Sequence, residues 1–164
     1  MNLKVFFVIL CLIPLILFAR KNEKPNIVVI MADDLGYSDL GCYGGEIETP
    51  QLDRLAENGL RFTQFYDWCR CWPTRSALLS GYYAQQVNND GDRADFPKWG
   101  YLLPHQLKQA GYRSYHSGKW HVPNIAKVVA QGGFDRSYYA GGYNNHFAPG
   151  EDFLNDERLP PVEP

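Results

Sequence analysis

Ile27-Val28-Val29-Ile30-Met31-Ala32 runs straight into Asp33-Asp34-Leu35-Gly36. A continuous apolar, β-branched run opened by Pro25-Asn26 reads as a strand covered on both faces of a sheet. Both carboxylates then fall at the C-terminal end of that strand, where open α/β sheets gather their sites. The stretch therefore predicts an α/β fold and offers Asp33 and Asp34 as candidate site residues. Taken alone, the two acids read equally as an acidic turn capping the next element.

Outward from this stretch, strands and helices alternate. Thr49 suits an N-cap and Pro50 the first turn of a helix whose apolar face is Leu52, Leu55 and Ala56, ended by Gly59. Leu60 to Tyr66 alternates, with apolar Leu60, Phe62 and Phe65, and reads as the next strand. Pro73 to Ser80 reads as a helix opening just after Cys71, which puts position 71 in the field of a helix N-terminus. Leu102 to Ala110 is a further amphipathic helix closed by Gly111, and Tyr112 to His116 a short strand. Beyond Val122 the chain is rich in Gly, Pro, Asn and Tyr with little period, and reads as surface loops.

A length of 164 residues, 45% of them apolar and 15% aromatic, suffices for one globular domain. The net charge of -2 leaves no basic footprint for nucleic acid. Residues 1–19 differ in kind: Lys4 precedes an apolar run from Val5 to Ala19, and Arg20 to Lys24 turns polar. That is the layout of a secretory signal, and fifteen apolar residues fall short of the twenty or so of a membrane span. A cleaved signal is expected, with an uncleaved anchor as the alternative and the membrane involved only through it. Export to a periplasm, an ER or lysosomal lumen, or the medium follows. Of the four cysteines, Cys11 leaves with the signal, and whether Cys42 and Cys69 pair stays open.

Cys71-Trp72-Pro73-Thr74-Arg75 has the Cys-x-Pro-x-Arg spacing read by the enzyme that oxidises a cysteine to formylglycine. Alone, Cys71 reads as a buried thiol or half of a disulfide. Lys119 and His121 alone read as a solvated strand end. Together with Met31-Ala32-Asp33-Asp34-Leu35-Gly36 and Gly118-Lys119-Trp120-His121, in this order and at these separations, the chain resembles the sulfatase family for nearly all its length after the N-terminal stretch.

The resemblance implies an alkaline-phosphatase-like α/β fold, with a central, largely parallel sheet flanked by helices. Residues 25–164 would be the N-terminal part of the catalytic domain, truncated and incomplete. It also implies a sulfuric ester hydrolase whose nucleophile is formylglycine made from Cys71. One hydroxyl of the hydrated aldehyde attacks sulfur, and the other expels sulfate by reforming the carbonyl. Asp33 and Asp34 would hold Ca²⁺, with Mg²⁺ as the alternative, and the modified Cys71 would touch the ion. Arg75 would steady the modified side chain, Lys119 would bind the diol or sulfate, and His121 would hydrogen-bond the diol. His116 has no matching role. The implied partners are a maturation enzyme and a sulfated small molecule or glycan.

The family's downstream Asp-Asn pair and its second His and Lys have no counterpart. After His121 the chain offers His146 and Lys127, while Asn155-Asp156 has the reverse order. Relatives of the same layout cleave phosphate or phosphonate monoesters, and a non-catalytic exported fragment is the reading from another class.

Overall fold

The structure is a computed structural model, and it describes residues 24–90, 95–140 and 151–160. The chain divides into two units, residues 1–32 and 33–164. The signal segment 1–19, Cys11 and His146 lie outside the described residues. No helix among the described residues is long and apolar enough to cross a membrane.

In the first unit the expected strand does not form. Residues 27–32 carry no ladder, and Val28 and Ile30 are 79% and 77% exposed. A strand of this kind needs neighbours to take its N–H and C=O groups and layers to cover its faces. Neither is present for it among the described residues. In the second unit, Leu60 to Tyr66 is likewise unpaired, and Phe65 is exposed.

The helices follow their sequence signals more closely. Helix α1, Pro50–Asn58, has Thr49 at its N-cap and Gly59 at its C-cap. Thr49 does not cap through its side chain. Its hydroxyl donates to Asp53 Oδ1 at 2.9 Å and accepts the Gly41 N–H, tying α1 to a 3-10 turn at Gly41–Tyr43. Helix α2, Cys71–Ser80, begins at Cys71 itself rather than just after it. Extended Arg70 is its N-cap, and the Thr74 hydroxyl donates back to the Arg70 carbonyl at 2.8 Å. Gly81 closes α2 with φ 74°, its N–H bonded to the Ala77 carbonyl, a left-handed stop that glycine adopts without a Cβ penalty. Helix α3 covers Leu103–Gln109.

Strand β1 is Tyr115–Ser117, and β2, Arg136–Ala140, runs parallel to it with His116 opposite Ser137. Strands β3, Asp152–Leu154, and β4, Glu157–Arg158, add antiparallel to give the order β1-β2-β3-β4. One ladder is thus of the expected parallel kind, and the sheet is mixed.

The region beyond Val122 is not the set of surface loops its composition suggests. Val122, Ile125, Val128 and Tyr139 are buried with Leu102 and Trp120 in one core, against which Leu79, Phe134 and Phe153 pack. Trp120 Nε1 donates to the Ile125 carbonyl at 2.6 Å, so the indole meets its polar need inside that core. Asn155 and Asp156, both at positive φ (51° and 70°), form the two-residue turn between β3 and β4. The Asp156 carboxylate accepts the N–H groups of Val129 and Ala130, so it is a structural acid.

Candidate active site

Three segments bring the candidate residues together. Cys71 opens α2, and Arg75 lies one turn further along the same helix. Lys119 and His121 follow β1 through a turn at Gly118, and Asp33 opens the second unit. Gly118 has φ 102°, a conformation that disfavours any Cβ, and its N–H donates to the Tyr138 carbonyl of β2. That bond holds the Lys119 segment at the end of the parallel ladder. His121 itself sits at φ 46°, a left-handed geometry uncommon outside glycine.

Cys71 Sγ lies 3.2 Å from His121 Nδ1. The Trp72 ring meets the His121 ring edge-on at 5.5 Å between centroids. Lys119 Nζ is 2.6 Å from Asp33 Oδ2, and Arg75 Nη2 is 3.4 Å from Asp33 Oδ1. Arg75 Nη1 donates to the Lys119 backbone carbonyl at 2.7 Å. The guanidinium is nearly buried, with its side chain 11% exposed, whereas Asp33 remains 42% exposed. Arg75 therefore fixes both the acid and the main chain that carries the lysine.

The electrostatics follow from this arrangement. The Lys119 hydrogen bond holds the Asp33 carboxyl below its usual value, aided by the charges of Lys119 and Arg75 and opposed by desolvation. Burial pushes the His121 imidazole down, and the positive charges of Lys119 and Arg75 push it further. A neutral imidazole can accept a proton at the atom held by residue 71.

The structure thus brings together Cys71, Arg75, Lys119, His121 and Asp33. Asp34 is exposed at φ 57° and has no ion pair among the described residues. Lys127 is exposed, and Asp156 is committed to the Val129 and Ala130 amides. Sequence reasoning missed the Lys119 carbonyl as the point gripped by Arg75, because no sequence signal marks a main-chain acceptor. Carboxylates such as Asp33 and Asp34 are hard oxygen donors of the kind calcium takes, and Asp33 is open to solvent. Among the described residues, no group of three or more His, Cys, Asp or Glu gathers closely enough to hold an ion. The donors fit such a cation in kind, and further ligands would be needed to complete its shell.

Residues 25–156 match the family model described as Sulfatase. The chain is 37% identical over 143 residues to an arylsulfatase of Klebsiella aerogenes, covering 79% of this chain and 31% of the relative. It is 36% identical over 155 residues to an N-acetylgalactosamine-6-sulfatase of Rattus norvegicus, covering 82% of this chain and 28% of the relative. A protein solved in complex with its substrate D-glucosamine-2-N,6-O-disulfate superposes with a TM-score of 0.73 at 28% identity, over 84% of this chain and 28% of the other. The chain spans less than a third of the length of each of these proteins. The expected α/β, alkaline-phosphatase-like architecture is that of such solved neighbours. With its family model matched from residue 25 to residue 156, the chain belongs to the sulfatase family.

Proposed function

We propose that this chain supplies the nucleophile side of a sulfuric ester hydrolase, with Cys71 converted to formylglycine. The observation that carries the reading is the convergence of Cys71, His121, Lys119, Arg75 and Asp33, which come from three separate stretches of sequence. A hydrated aldehyde at position 71 would supply a hydroxyl nucleophile and, in its partner hydroxyl, a means of expelling sulfate.

The chain's own residues have distinct tasks. His121 Nδ1, within hydrogen-bond reach of the group on residue 71, holds or takes a proton there. Lys119 and Arg75 supply positive charge for an anionic substrate, where preorganised donors are worth most. The start of α2 adds its N-terminal field at position 71. Asp33 and Asp34 would hold a divalent cation, Ca²⁺ or Mg²⁺, which when bound neutralises sulfate charge and acidifies the attacking hydroxyl. Asp33 would then share its carboxylate between that ion and Lys119.

A sulfated sugar is the substrate class we favour. Support comes from the galactosamine sulfatase relative and from the neighbour bound to a disulfated glucosamine. Residues 1–19 would direct export, either as a cleaved signal or as an anchor, and residues 25–164 would be the N-terminal portion of a catalytic domain. A formylglycine-generating enzyme would be the maturation partner. The test is turnover of an aryl sulfate against an aryl phosphate by the complete protein from a maturation-competent host. Sulfate turnover that Cys71→Ala abolishes supports the reading. Phosphate turnover that survives Cys71→Ala overturns it.

A further inference from the structure

The Cys-x-Pro-x-Arg spacing fixes positions 71, 73 and 75 and leaves position 72 open, yet a tryptophan stands there. Trp72 is the second residue of α2, directly after Cys71. Its ring meets the His121 ring at 5.5 Å between centroids and 77° between planes. Edge-to-face pairs attract at separations of about 4.5–7 Å. His121 Nδ1 lies 3.2 Å from Cys71 Sγ. Two consecutive residues of one helical turn therefore contact the same imidazole, one at a ring nitrogen and the other against the ring.

His121 needs such a contact. It follows β1 on irregular backbone, at φ 46°, so neither a ladder nor a helix fixes the direction of its ring. Trp72 is itself held from the other side of Cys71. The Arg70 guanidinium lies over its ring at 5.4 Å from the centroid, within the roughly 6 Å reach of a cation–π contact. Arg70 is the extended N-cap of α2, so residues 70 and 72 flank the nucleophile position and fasten the indole to it. Among the described residues, the hydrophobic core and the side chains packed on it do not include Trp72. Its Nε1 is buried without a hydrogen-bond partner, so the contacts found for this indole are made by its ring.

We propose that Trp72 is a positioning residue: its ring, steadied by Arg70, holds the His121 imidazole with Nδ1 directed at the side chain of residue 71. The role rests on the functional reading given above, in which His121 serves the group on that residue. Trp72 acts through His121 and not through contact with substrate. Because wall and nucleophile share one turn of α2, the distance between His121 and position 71 is set by the helix and not by the turn that carries the histidine.

The experiment compares Trp72→Leu and Trp72→Phe in the complete protein, alone and combined with His121→Ala. Turnover of an aryl sulfate is normalised to the formylglycine content at residue 71, measured by peptide mass spectrometry. The rate at which diethyl pyrocarbonate modifies His121 is followed in the same way. Leu keeps apolar bulk without a ring, whereas Phe keeps a ring and removes the orphaned Nε1. Trp72→Leu is expected to lower kcat about 10- to 100-fold with KM little changed, and to speed His121 modification several-fold. Trp72→Phe is expected to restore most of kcat and the slow modification, with an equal or higher thermal midpoint. In the His121→Ala background, Trp72→Leu is expected to cost nothing further, because residues that act through one another are not additive. Unchanged kcat and modification rate in a folded Trp72→Leu protein overturns the proposal. So does a loss confined to KM, or an equal loss with and without His121. A wild-type protein without sulfate turnover counts against the functional reading. The modification arm then decides the role of Trp72 alone, as it does where a variant is not matured or His121→Ala leaves no measurable rate.

Discussion

Cys71 Sγ and His121 Nδ1 stand 3.2 Å apart although 50 residues separate them in sequence. The first residue of α2 and the turn after β1 thus share one point, where an imidazole nitrogen sits beside the side chain of residue 71. Burial and the neighbouring cations keep that histidine below its usual pKa, in the form able to accept a proton.

Cys71 is expected to carry formylglycine when the protein is exported from a host that has the modifying enzyme. Peptide mass spectrometry across residues 71–75 should show an aldehyde in place of the thiol. Arg75→Ala should abolish the conversion, since the Cys-x-Pro-x-Arg spacing is what the enzyme reads. A plain thiol in a competent host would refute this.

Asp33 and Asp34 are expected to bind Ca²⁺ in the complete protein. Asp33→Ala and Asp34→Ala should each lose bound calcium, measured by elemental analysis, and activity with it. Unchanged calcium in both variants sinks the assignment. Because Lys119 and Arg75 already neutralise Asp33, Asp33→Ala should also leave two cations unpaired and cost more stability than Asp34→Ala.

The pH response of Asp33 has a definite sign. Its carboxyl is held below the usual 3.8 in the folded chain, chiefly by the Lys119 hydrogen bond. A depressed folded-state pKa contributes stability above the unfolded value and loses it as pH falls through the folded value. The Asp33 side-chain carbon resonance should therefore titrate below pH 3.8. Asp33→Asn should flatten the loss of stability in that acid range, and the effect should be small because the group is solvent-screened. Titration at or above the ordinary value would contradict the ion-pair geometry.

A polypeptide of these 164 residues is expected to show no sulfate ester turnover by itself, even with Cys71 modified. No described cluster of three or more His, Cys, Asp or Glu can hold an ion, and Lys127 lies exposed with its backbone N–H on Gln131. Losing one preorganised donor typically costs about 100- to 1000-fold. Multiple turnovers of an aryl sulfate with added Ca²⁺, lost on Cys71→Ala, would show the expectation to be wrong.

Leu102→Ala is expected to destabilise the chain by about 2–5 kcal/mol. Leu102 is 1% exposed at the N-cap of α3 and belongs to the core with Val128 and Trp120. Chemical denaturation of the two proteins measures the difference, and a shift below about 1 kcal/mol would mean the site collapses around the deletion.

Local chemistry alone determined the helices and offered the candidate site residues. Thr49-Pro50 and Gly59 act on their own backbone, and helix limits at Pro50–Asn58 and Cys71–Ser80 were legible within two residues. Cys71, Arg75, Lys119, His121 and Asp33 were legible as candidates through the resemblance of the motifs that hold them to the sulfatase family. Tertiary structure decided the rest. Ile27 to Ala32 has the composition of a covered strand, but a strand exists only through its ladder partners, and none is present for it among the described residues. Conversely, Val122, Ile125 and Val128 lack a helical or strand period, yet they are buried because β2 and Trp120 offer a surface to close. The Asp156 carboxylate on the Val129 and Ala130 amides and the Arg75 guanidinium on the Lys119 carbonyl are of the same kind. Each depends on groups far apart in the chain, which only the fold brings within hydrogen-bond reach.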